Sequence, residues 1–269
     1  MKKHFTYNSP RNIWRILISE SDKLILETRD TETREVFFHC FDLGNGKKIF
    51  SDFQHEEKSW IGIETVYKDI VYFHKYIKPD MPGHKDVIAF DINTKTILWT
   101  NEYLTFLFAY EDKVICFKQG FEERFFYSLD YRTGQLLEDL GSNHILINSW
   151  KNKSETQKDW SVYLYPQNIN NADNITFNIV KTYIGNLEIT GNIEFMVYKN
   201  LVLFNFHSNA GNKTYNNSFA AIKADSGKVV LNEVLNAGTQ SLFTDSFFIY
   251  KNFLFLLKEK NEVIIFKLE

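Results

Sequence analysis

A short signal recurs along this chain about every 46 residues, and a period of that size restricts the fold more than any other property of the sequence. A polar turn, mostly Lys with Asp or Asn, runs directly into an apolar stretch. The copies are Asp22-Lys23 before LIL, Lys68-Asp69 before IVYF, Asp112-Lys113 before VICF, Lys158-Asp159 before WSVYLY, Lys199-Asn200 before LVLF and Lys251-Asn252 before FLFLL. Between positions 23, 69, 113, 159, 200 and 252 the intervals are 46, 44, 46, 41 and 52 residues. A unit of that length accommodates four short strands and their turns.

A second signal keeps step with the first. FHCFDLGNGKKIF, VIAFDINTKTILW, FYSLDYRTGQLL and FAAIKADSGKVVL each read as strand, polar turn, strand. The second unit divides into WIGIETVY, DIVYFHKYI, DVIAFDI and TILWTNEY. Continuous apolar runs in the second strands suit strands covered on both faces, and the mixed outer strands suit a partly solvated rim. The fourth unit lacks the second signal and is assembled from HILINSW, WSVYLY, NITFNIV and GNLEIT. The sixth ends at EVIIFKLE without an outer strand, which Lys2-Lys3-His4-Phe5-Thr6 can supply. Joining first strand to last protects sheet edges that otherwise invite aggregation.

The expectation is an all-β chain: a six-bladed β-propeller of four-stranded antiparallel blades, one domain over residues 1–269, its ring closed by the N-terminal strand joining the last blade. The VIAFDINTKTILW and LDYRTGQLL segments resemble repeats of the quinoprotein-like and WD-repeat-like propellers, in which a strand ending in Asp, a Thr-Gly turn and a strand ending in Trp recur. Trp99 stands in the expected place. The chain also resembles bacterial propeller families of unknown function. The resemblance implies a fold and carries no catalytic residues across.

Composition agrees with strands. Phe 25, Tyr 14 and Trp 5 against 3 Met and 4 Pro favour pleated, half-buried surfaces, and 44% hydrophobic with 24% charged residues is ordinary for a globular chain. A net charge of -3 offers no electrostatic footprint for nucleic acid or an anionic membrane, so neither is expected as a partner. His4, Asn8, Arg11, Asn12 and Arg15 interrupt every apolar run near the start, so export is not expected and a cytoplasmic location is. Cys40 and Cys116 lie inside apolar runs and read as small buried hydrophobes rather than a disulfide.

In four-stranded blades, the loops joining second to third strands and the links between blades share one face. The long insertions, Thr28 to Glu35, Lys78 to Lys85, Pro166 to Asn174 and His207 to Asn217, would gather there, with the shorter Gln119 to Arg124. That loop-rich face is the expected binding surface for a protein or peptide, with no cofactor, and its candidate contacts are Tyr76, Asp80, His84, Arg124, His207 and Tyr215.

The alternative is a metal-dependent hydrolase of lactonase or esterase type at the central channel mouth. Seven histidines show no HxH, HExxH or Cys/His ligand spacing, and His55 with Glu56 and Glu57 is the nearest to a metal set. Glu56, Glu57, Asp80 and Glu122 can reach the same mouth to hold Ca²⁺. No GxSxG elbow or vicinal cysteine pair is present.

Overall fold

The computed structural model describes residues 1–78 and 81–269. They form two compact units, Pro10–Asp159 and Met1–Ser9 with Trp160–Glu269. Strand β1 (Lys2–Asn8) belongs to the latter. In Pro10–Asp159 three antiparallel meanders follow one another: β2 (Asn12–Ile18), β3 (Lys23–Arg29), β4 (Val36–Asp42) and β5 (Lys48–Phe53); β6 (Ile61–Tyr67), β7 (Ile70–Lys78), β8 (Met81–Asp91) and β9 (Thr96–Asn101); β10 (Thr105–Tyr110), β11 (Lys113–Gln119), β12 (Arg124–Asp130) and β13 (Leu136–Gly141). A single parallel bridge, Thr105 to Asp86, links the second and third. Helix α1 (His144–Thr156) follows.

The other unit contains β14 (Tyr163–Leu164), β15 (Gln167–Asn168), helix α2 (Asn174–Ile184), and the meander β16 (Ile189–Tyr198), β17 (Leu201–Gly211), β18 (Thr214–Lys223), β19 (Val229–Thr239). A last meander, β20 (Phe247–Tyr250), β21 (Phe253–Lys258) and β22 (Glu262–Lys267), is completed by β1, which pairs antiparallel with β22 from Lys2–Lys267 to Asn8–Glu262. The N-terminal strand therefore fills the outer place that EVIIFKLE leaves open.

The middle strands are apolar on both faces because both are covered. Leu24, Ile25 and Leu26 on β3 are buried in succession, as are Val71, Tyr72 and Phe73 on β7. Phe38, Phe73 and Phe90 come together between the first two sheets, each contributing on the order of 2–3 kcal/mol of burial. Both cysteines are free and buried, and burial pushes the Cys40 thiol up to about 12.

Both sequence signals have a physical basis in the turns. At Lys68-Asp69 both residues take positive φ, 46° and 60°, as a two-residue hairpin that follows strand twist requires. In the second signal the strand-ending carboxylate caps its own turn. Asp42, Asp91 and Asp130 each accept the amide of the residue three positions on, and Asp91 and Asp130 also that two positions on. The amide of Gly46, Lys95 and Gly134 then returns to the carbonyl of that same Asp, each with positive φ. Trp99 on β9 lies against Gly134 of the next meander's Thr-Gly turn and donates from Nε1 to the Tyr131 carbonyl at 3.2 Å; the Tyr72 hydroxyl donates to the same oxygen at 2.9 Å.

The expected fourth blade is absent. HILINSW and NITFNIV fold as α1 and α2, leaving five meanders among the described residues rather than six, two of them widened to five strands by β14 on β20 and β15 on β16. The buried positions explain it: Ile147 and Ser154 lie seven apart on α1, and Thr176, Val180 and Ile184 four apart on α2. Asp173 accepts the Thr176 amide at 2.7 Å as an N-cap, and Gly185 ends α2 with φ 56°. Lys158-Asp159, unlike the other turns, follows a helix. Among the described residues no helix is long and apolar enough to cross a membrane.

Candidate functional site

Because each meander runs up and down, the loops after its second strand and the links after its fourth emerge at one end. At that end of the second meander, β6, β7 and β8 bring together Glu64, His74 and His84. One ligand atom from each lies within 4.8 Å of the others, the one such group among the described residues.

Strand register makes the meeting. Gly62 pairs with His74, Tyr76 pairs with His84, and a bulge between Ile63 and Thr65 falls at Glu64. The imidazoles of His74 and His84 stack with centroids 3.5 Å apart and planes within 7°. Tyr76 meets both edge-on, at 5.1 and 5.6 Å. Both Nδ1 atoms lie 2.8 Å from Oε2 of Glu64. Only His84 is aligned to donate a hydrogen bond there. His74, 1% exposed, approaches at an angle that makes no such bond, and neither of its ring nitrogens has a hydrogen-bond partner. A buried polar atom left in that state costs about 1–3 kcal/mol.

Burial opposes charge on Glu64, yet the two imidazoles beside it, His74 first, more than offset it, and its carboxyl sits below the ordinary value. His84 is also depressed, by burial first and His74 second, against the pull of Glu64. The nearby guanidiniums are held by other groups, although Arg29 Nη2 also reaches the Tyr76 hydroxyl at 3.5 Å. Arg29 binds the fully buried Glu27 through Nε and Nη2 at 2.8 and 2.7 Å and lies over Trp14, while Arg15 donates to the Ile63 carbonyl. Glu27 uses its other oxygen to accept the Ile63 amide at 2.9 Å. Strand β6 is thus tied by hydrogen bonds to β2 and β3 of the first meander.

Of the residues singled out from sequence, Tyr76 and His84 belong to this group. Asp80 lies outside the described residues. Arg124, in the same unit, starts β12, exposed, with its guanidinium 4.5 Å over Phe117 and Nε on Gln119 at 3.1 Å. His207 and Tyr215 are in the other unit. His207 is buried on β17, accepts the Phe243 amide on Nε2 at 3.0 Å and is held below its ordinary value by burial. Tyr215 accepts the Thr239 hydroxyl on its carbonyl.

His55, Glu56 and Glu57 occupy the link between the first two meanders. His55 Nδ1 accepts the Glu57 amide at 2.9 Å, and Glu57 Oε1 accepts the amides of Ser59 and Trp60 at 3.0 Å each, so these groups shape the link itself. Sequence reasoning missed Glu64 and His74. The register of two hairpins is the signal that unites them with His84.

Residues 18–99 match the model of DUF4905, a domain of unknown function, and this segment holds Glu64, His74 and His84. No curated protein matches the chain. Among solved structures the chain is similar to a quinohemoprotein alcohol dehydrogenase from Pseudomonas putida HK5, with 12% identity, 96% of this chain and 42% of that chain covered, and a TM-score of 0.30. It is similar to an uncharacterized protein from Listeria monocytogenes EGD-e, at 14% identity over 92% of this chain and 75% of that one, TM-score 0.32. It is also similar to the β-propeller domain of the Trilobed protease from Pyrococcus furiosus, at 10% identity over 99% and 70%, TM-score 0.33. The chain spans less than half the length of the dehydrogenase.

Proposed function

We propose that the chain is a binding module that takes a protein or peptide on the loop end of its meanders, with the meanders acting as propeller blades. What supports the reading is where unit Pro10–Asp159 leaves large apolar side chains uncovered. Trp14, Ile77, Met81, Tyr103, Phe121 and Phe125 lie at or beside that end, Tyr103 at 82% and Phe121 at 100% exposure. The other exposed apolar groups of the unit, Ile97, Leu136, Leu137 and Ile145, are on the outer strands β9 and β13 and on α1. The opposite end is made of tight positive-φ turns and Asp-capped turns. Exposed aromatics beside polar loops are the side chains from which interface anchors are drawn.

The test compares partners co-purifying with the intact chain, with Tyr103→Ser/Phe121→Ser, and with Leu137→Ser as an outer-strand control. A partner lost only from the double variant supports the reading; one retained equally by all three proteins, or none recovered by any, overturns it.

A further inference from the structure

We propose that Glu64, His74 and His84 form a site for one divalent transition-metal ion of the zinc class. The reading stands apart from the partner-binding surface and rests on three observations.

The first is the donor set. Two imidazoles and one carboxylate, with their ligand atoms within 4.8 Å, suit zinc and its neighbours, whereas calcium and magnesium prefer oxygen ligands throughout. The second is His74. Its ring is fully enclosed with both nitrogens lacking a hydrogen-bond partner, and Nδ1 is turned toward the shared Glu64 oxygen without donating to it. A cation accepts that lone pair and removes the cost of leaving it idle. The third is rigidity with one side open. The ligands come from three hydrogen-bonded strands, while the side chains of His84 and Glu64 are 30% and 22% exposed. The fourth coordination position therefore faces outward, where water can fill it. Glu64 supplies the negative charge, and Arg29 is neutralised by Glu27. Loading requires the partly exposed His84 ring to tilt away from that of His74, because a metal lies in the plane of each imidazole it binds.

The experiment uses the full chain, stripped with a chelator and titrated with Zn²⁺ alone against a competing indicator, then with Co²⁺ for its visible absorption. One ion per chain is expected, with affinity lowered more than roughly tenfold by His84→Ala and by Glu64→Gln. His55→Ala/Glu57→Gln should bind as the parent does. If His84→Ala fails to fold, the isosteric Glu64→Gln decides alone. Absence of stoichiometric binding, or affinity unchanged in the folded ligand variants, overturns the proposal.

Discussion

Gly62 and His74 face one another across β6 and β7 so closely that a Cβ on residue 62 would lie 3.2 Å from both Cε1 and Nε2 of the imidazole. The backbone of Gly62 is ordinary extended strand, so the glycine is there for space. Gly62→Ala should press on a buried ring that has little room to yield and cost about 1–3 kcal/mol in urea unfolding. Gly83→Ala is the contrast: its Cβ would meet only the flexible end of the half-exposed Ile77, and its midpoint should barely move. Equal midpoints for the two variants would refute the steric account.

His39 should make stability depend on pH. Burial holds its imidazole down at about 4, from an ordinary 6.5. Its Nδ1 accepts the Asp52 amide at 3.2 Å, which places the proton on Nε2, facing the Thr28 hydroxyl at 2.9 Å. A second proton would have to displace that amide. Between these two values the unfolded chain binds the proton and the folded chain does not, so stability falls as pH drops from about 6.5 to about 4 and levels below. The loss attributable to this group is on the order of 3 kcal/mol. Denaturant midpoints across that range, compared with His39→Gln, should show a shallower slope in the variant; parallel slopes would count against the assignment.

The junction of Trp99 with Gly134 offers a third measurement. Gly134 has φ 71°, and a Cβ there would come within 2.6 Å of the indole. Gly134→Ala therefore combines about 1–2 kcal/mol of left-handed backbone strain with displacement of Trp99 from the turn. Tryptophan fluorescence should report a more solvated indole alongside the lower melting temperature. Gly141→Ala, with φ 55° and open space around it, should show the strain without the spectral change.

How far the sequence discloses this structure depends on the range of the interaction. The turn after Asp91 is written in nearby residues, since the amides of Asn93 and Thr94 both donate to the Asp91 carboxylate, and its strands are readable for that reason. The helices were missed because HILINSW and NITFNIV are short apolar runs that fit either period. Asp173 ahead of NITFNIV and Gly185 behind it were the capping marks that separated the two. The site is harder still. His74 sits in an apolar run and reads as strand core, and Glu64, His74 and His84 stand ten residues apart in turn, a spacing with no meaning until both hairpins are in register.

The pairing of β1 with β22 carries a kinetic consequence. Lys2–Asn8 is made well before its partner β22 and has to wait for Glu262–Lys267 before the two can pair. The closing ladder forms between segments separated by nearly the entire described length, among the slowest kinds of contact for a polypeptide to find. Throughout that interval β1 is an unsatisfied edge, so Lys2 and Lys3, both exposed, place charge on the stretch of chain that waits longest.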